Sequence, residues 1–162
     1  MRKVMITGSF DPVTVGHADV IRRAALCFDD VRVTVFINPD KPGMFTPEER
    51  VLLLKLASAP FPNVSVDFDG GMVADYVKRE GISLILRAVR DEADLPYEMK
   101  MADYNREKGG VETVLLAASP SLKSVSSSEV RRRILAGEEY EELIPAEIRE
   151  EIAKIAKNLR GN

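Results

Sequence analysis

Apolar positions along this chain fall into two alternating rhythms. Short, nearly continuous runs over 4–7, 31–37, 64–67, 83–86 and 113–117 read as strands covered on both faces. Between and after them, apolar residues recur at helical spacing over 17–28, 47–59, 72–80, 91–106, 127–136 and 145–159. The first of these carries Val20, Ile21, Ala24, Ala25 and Phe28 along one side. Strands that alternate with helices imply parallel pairing through right-handed crossovers. The expected fold is therefore α/β: a three-layer, Rossmann-like, doubly wound fold whose five-stranded parallel sheet runs in the order 3-2-1-4-5. Its ligand crevice would open beside the first strand, where that order reverses. Residues 1–162 would form one domain, with a helical tail from about residue 132 packed on it.

Local signals sharpen two helix starts. Thr46-Pro47-Glu48-Glu49 and Ser126-Ser127-Ser128-Glu129 both have the spacing of a capping box, and Pro47 suits a first helical position. Gly161-Asn162 is expected to fray. Composition narrows the function classes. A net charge of −3 supplies no basic surplus for general nucleic-acid binding, so its cations would be local tools for small anions. A single cysteine, Cys27, excludes an intrachain disulfide and fits a reducing compartment. Its place on the first helix predicts a buried filler rather than a catalytic thiol. No apolar run approaches the about 18 residues of a membrane span, and the amino terminus lacks a signal-peptide core. A cytoplasmic protein without membrane or nucleic-acid partners is expected.

Candidate chemistry gathers at the predicted carboxyl ends of the strands. The first strand runs into Gly8-Ser9-Phe10-Asp11-Pro12 and then Thr14-Val15-Gly16-His17, which opens a helix. Backbone N–H groups at such a start, on the positive end of the helix dipole, suit a phosphate. Gly8 and Gly16 would let it approach, and His17, the chain's sole histidine, would add a donor. Three further stretches carry phosphate-type donors: Lys41 after strand 2, Arg87-Ala88-Val89-Arg90 after strand 4, and Ser124-Val125-Ser126-Ser127-Ser128 after strand 5. Each alone has an ordinary explanation as a solvated lysine, a surface ion pair or a capped helix. Together they share one rim of one sheet. Fixed cations and N–H donors there suit transfer between phosphates, in which charge builds on non-bridging oxygens. Neither a P-loop, a G-x-G-x-x-G turn nor a G-x-S-x-G elbow is present.

These residues carry a resemblance. Thr14-Val15-Gly16-His17 is similar to the [TH]-x-G-H signature of the nucleotidyltransferases related to class I aminoacyl-tRNA synthetases, and Val125-Ser126-Ser127-Ser128 with Arg131 resembles their I-S-S-S-x-x-R motif. Gly8 to Thr14, Met44-Phe45-Thr46-Pro47-Glu48-Glu49-Arg50, and Arg87-Ala88-Val89-Arg90-Asp91 with Asp94 and Tyr97-Glu98-Met99 resemble the bacterial phosphopantetheine adenylyltransferases. The similarity is collinear as far as Arg131. It implies transfer of AMP from ATP to 4′-phosphopantetheine, with Mg²⁺, giving dephospho-coenzyme A and pyrophosphate in the penultimate step of coenzyme A synthesis. It also implies a homohexamer.

Carried over by position, Ser9, Lys41, Val73 and Arg87 would hold phosphopantetheine. The ATP set would comprise Ser9, Phe10, His17, Ala88, Val89, Arg90 and Glu98, with Leu122, Lys123, Ser124, Val125, Ser126, Ser127 and Ser128. His17, Lys41 and Arg90 would act on the reacting phosphates, while no residue is assigned to the metal. The chain departs from the common pattern in three places. Ser9 replaces Thr, Pro42-Gly43 stands where a second basic residue and Pro often occur, and 119–123 lacks an aromatic. A nucleotidyltransferase using nicotinate or nicotinamide mononucleotide, or CTP, and a non-catalytic nucleotide sensor remain as alternatives.

Overall fold

A computed structural model describes residues 2–160, so the expected fraying of Gly161-Asn162 lies outside the described residues. Five strands, β1 (Lys3–Gly8), β2 (Asp30–Phe36), β3 (Val64–Asp69), β4 (Leu84–Val89) and β5 (Glu112–Ala117), form one parallel sheet in the order β3-β2-β1-β4-β5. The expected doubly wound α/β topology is the one observed. Helices α1 (Val15–Cys27), α2 (Pro47–Ser58), α3 (Val73–Glu80), α4 (Leu95–Gly109), α5 (Ser127–Ala136) and α6 (Arg149–Arg160) flank it. None is long and apolar enough to cross a membrane among the described residues.

Alternation along β1 feeds two cores. Val4 and Ile6 join Ile21, Leu53, Leu54, Ile134 and Ile152 from α1, α2, α5 and α6, whereas Met5 joins Tyr76, Val77, Ile82 and Ile85 on the opposite face. The segment linking α5 to α6 buries Ile144 and Ile148 completely in the larger core. The carboxyl-terminal helices thus form part of a layer.

Three local expectations are corrected. Arg87, Ala88 and Val89 lie on β4 itself rather than after it, because pairing with β5 continues to Val89↔Ala117. Helix α4 starts at Leu95, later than its apolar spacing implied, since Asp91 instead accepts the amide hydrogens of Ala93 and Asp94 in a turn. Cys27 is exposed, not buried: it ends α1, and Phe28 after it takes the place against the core.

Candidate active site

Where the strand order reverses, a cavity of about 320 Å³ opens at the carboxyl ends of β1 and β4, walled also by the segment after β5. One wall is the start of α1. Thr14 Oγ1 accepts the His17 N–H at 3.4 Å, and the Thr14 N–H donates to His17 Nδ1 at 3.1 Å. This is a capping box in which an imidazole takes the place that Glu or Gln usually holds. Because Nδ1 accepts, the neutral ring carries its proton on Nε2. The Phe10 ring meets His17 edge-to-face, with centroids 5.0 Å apart. Gly8, which also lines the cavity, makes room for that ring, since a Cβ there would lie 3.1 Å from Phe10.

Burial, reinforced by the charges of Arg87 and Arg90, lowers the His17 pKa from 6.5 to about 4. His17 is therefore a neutral donor throughout the physiological range. As the chain has one histidine, NMR should show a single imidazole titrating near pH 4. A midpoint near 6.5 would contradict the buried, Arg-flanked setting. The folded value lies below the unfolded one, so the associated stability is present above pH 6.5 and is lost as the pH falls towards 4.

The second wall carries two arginines with their own carboxylates. Arg87 Nε and Nη2 donate to the buried Glu98 at 2.8 and 2.7 Å, and Nη1 donates to the Thr7 carbonyl at 2.5 Å. The Arg87 fork is thereby held on three sides. Arg90, just past β4, donates through Nε and Nη2 to Asp94 at 2.9 Å each, and its backbone N–H reaches the same carboxylate at 3.0 Å. Arg90 in return holds the Asp94 carboxyl below its ordinary range. Nη1 of Arg90 has no protein partner among the described residues, so its outer edge can take an anion.

The third wall is the start of α5. Ser126 Oγ accepts the Glu129 N–H at 3.2 Å, Ser127 Oγ donates to the Pro12 carbonyl at 2.7 Å, and Ser128 Oγ accepts from Arg131 Nη2 at 3.1 Å. The hydroxyls are thus engaged within the protein, while the amides of Ser127 and Ser128 have no acceptor in their own helix. Such free amides at a helix start suit an anion. The capping box expected at Ser126 forms only half, because Arg132 and Arg133 hold the Glu129 carboxylate.

Comparison with known proteins supports the same chemistry. Residues 5–133 match the model of the cytidylyltransferase-like family. A phosphopantetheine adenylyltransferase of Corynebacterium diphtheriae is 40% identical over 159 residues, covering 98% of this chain and all of the relative. The chain belongs to the phosphopantetheine adenylyltransferases. It is a nucleotidyltransferase, and the three donor walls suit a member of that family.

Of the residues expected in the site, Ser9, Phe10, His17, Arg87, Ala88 and Arg90 line the cavity, as do Glu98, Leu122, Val125, Ser126 and Ser127. Six others lie outside its wall. Lys41 is exposed on the loop after β2, and Val73 packs beside Tyr76 in the smaller core. Val89 ends β4, Lys123 and Ser124 face solvent, and Ser128 is occupied by Arg131. Asp19 and Ser119 line the cavity without having been singled out in the sequence, and Asp94, quoted there without a role, lines it too.

Beneath the site, residues from three of the quoted motifs meet in a hub. Buried Asp11 accepts the amide hydrogens of Met44 and Phe45 at 3.0 and 2.8 Å and pairs with buried Arg50 at 3.3 Å. Arg131 reaches it from α5 at 3.6 Å and donates to its carbonyl. One carboxylate thus joins the β1–α1 loop, the β2–α2 loop and α5 in the family's adenylyltransferase scaffold.

Proposed function

We propose that this chain transfers the adenylyl group of ATP to 4′-phosphopantetheine, with the α-phosphate of ATP beside His17. A phosphate oxygen of the acceptor attacks the α-phosphorus in line, and the bond to the departing pyrophosphate breaks. The attacking phosphate is already anionic, so no protein base is required. The observation that carries this reading is the neutral His17 ring, its proton placed on Nε2 by the Thr14 N–H, at the positive end of α1. That N–H supports charge growing on the non-bridging oxygens. Arg90 and the Ser127 and Ser128 amides would hold the β- and γ-phosphates, and Arg87 with Lys41 the acceptor phosphate.

No cluster of His, Cys, Asp or Glu able to hold a metal ion occurs among the described residues. Mg²⁺ would accordingly arrive with ATP, held by phosphate oxygens and water. Self-association belongs to the same reading, since α4 and β5 expose Leu95, Tyr97, Met99, Val114 and Leu115. A cytoplasmic homohexamer is the expected form.

Pyrophosphate release with ATP, Mg²⁺ and 4′-phosphopantetheine, run beside nicotinamide mononucleotide as acceptor, tests the reaction. Release only with phosphopantetheine supports it, whereas release only with the mononucleotide overturns the acceptor assignment. Lys41→Ala should raise the KM for phosphopantetheine by about 1.5–3 kcal/mol, the scale of a charged hydrogen bond, without altering the melting midpoint. A change confined to the KM for ATP would place Lys41 in the other pocket. Arg87→Ala should raise the same KM and also destabilise the fold, because it strands the buried Glu98.

A further inference from the structure

The segment after β5 carries part of the cavity wall and leads into α5, so its distance from α1 fixes the gap between two of the donor walls. Pro120–Leu122 form a single 3-10 turn, which hydrogen bonds from Leu122 N–H to the Ser119 carbonyl and from Val125 N–H to the Leu122 carbonyl close locally. These bonds shape the segment but do not attach it to α1. Two side chains of α1 do. Asp19 lines the cavity with its side chain only 13% exposed, and its Oδ2 accepts the Ser119 hydroxyl at 2.7 Å. One turn on, Arg23 donates to the Ala117 carbonyl at 2.8 Å and stands 3.5 Å from the same Asp19 oxygen. Arg22 holds the other oxygen, Oδ1, at 2.9 Å.

We propose that Asp19 is a positioning residue for the nucleotide, clamping the segment 117–119 to α1 and so setting the width of the slot that receives ATP. The inference rests on the nucleotide-transfer reading of the cavity. Asp19 touches no reacting atom in this role. Its carboxylate is held on both oxygens by protein donors, so it acts through Ser119. The two arginines keep it charged and aimed across the gap. A serine hydroxyl donating to a carboxylate makes a short, strong bond, and its loss would let the segment drift from α1. Small displacements matter at such a place because binding groups on both walls must reach one ligand at once.

The test is calorimetric binding of Mg-ATP without any acceptor, followed by steady-state kinetics, for Asp19→Ala, Ser119→Ala and the double variant. Each single change should weaken ATP binding about 5- to 20-fold, with the KM for phosphopantetheine and the kcat at saturating ATP moving less than about twofold. The double variant should be no weaker than the worse single one, because both remove one link. Asp19→Glu, which keeps the charge, should recover part of the loss. Unchanged ATP affinity in both single variants would overturn the proposal, as would additive losses or an equal rise in both KM values. Ser119→Ala leaves α1 intact and keeps the test decisive if Asp19→Ala folds poorly. Failure of the parent protein to bind ATP would overturn the underlying reading, whereas normal parental binding with unaffected variants would overturn the clamp alone.

Discussion

His17→Ala lowers kcat by about 10²–10³, the scale for one lost transition-state donor, with little change in the KM for ATP. The split follows from the geometry. In the proposed reading, ground-state phosphates would have the amides of α1 and α5 and the free edge of Arg90, and all of these survive the change. What disappears is a neutral N–H at the place where charge grows during transfer. Alanine also removes the acceptor for the Thr14 N–H, so α1 loses half of its capping box. That loss is worth about 0.5–2 kcal/mol, which lowers the melting midpoint by only a few degrees in a chain of this size. Steady-state kinetics beside a thermal melt separate the two effects. An unchanged kcat would end the assignment, and a collapse of the melt would make His17 a structural residue first.

Asp11→Ala carries the largest expected cost in stability, about 3–5 kcal/mol, because it leaves the buried Arg50 guanidinium without its counter-charge. The Met44 and Phe45 amide hydrogens lose their acceptor at the same time. Such a pair need not be more stabilising than an apolar one of the same volume. Breaking it from one side is what costs. Asp11→Asn should lose less, since one oxygen still accepts. Urea unfolding measures both, and a loss below about 1 kcal/mol for Asp11→Ala would show that Arg50 finds other partners.

The sheet was legible because its evidence is periodic: strands buried on both faces and amphipathic helices alternate, and few topologies accept that order. The carboxyl-rim location was legible for the same reason, since each donor stretch ends a strand or lies between a strand's carboxyl end and the next helix. Pairings between distant residues were not. The Arg87–Glu98 fork joins β4 to α4, and the Asp11 hub joins two loops to α5, so no local spacing announces either pairing. The capping role of His17 escaped because a box is sought through Glu or Gln, and an imidazole satisfies the same geometry. Lys41, whose residue type and place after β2 suit a phosphate, lies exposed on its loop beyond the cavity wall, where the proposed acceptor phosphate would have to meet it.

Arg50 also restricts how the acceptor-side loop can vary. A Cβ at Gly43 would sit 1.5 Å from Arg50 Nη2 and 2.8 Å from Asp11 Oδ2, and Arg50 is fixed by its buried pairing and by the Phe45 carbonyl. A side chain at position 43 therefore requires the Arg50 guanidinium to shift within its pairing with Asp11. Pro42, exposed next to it, is the open position. A second cation meant to draw an anionic acceptor fits at 42 without disturbing the Arg50–Asp11 pair.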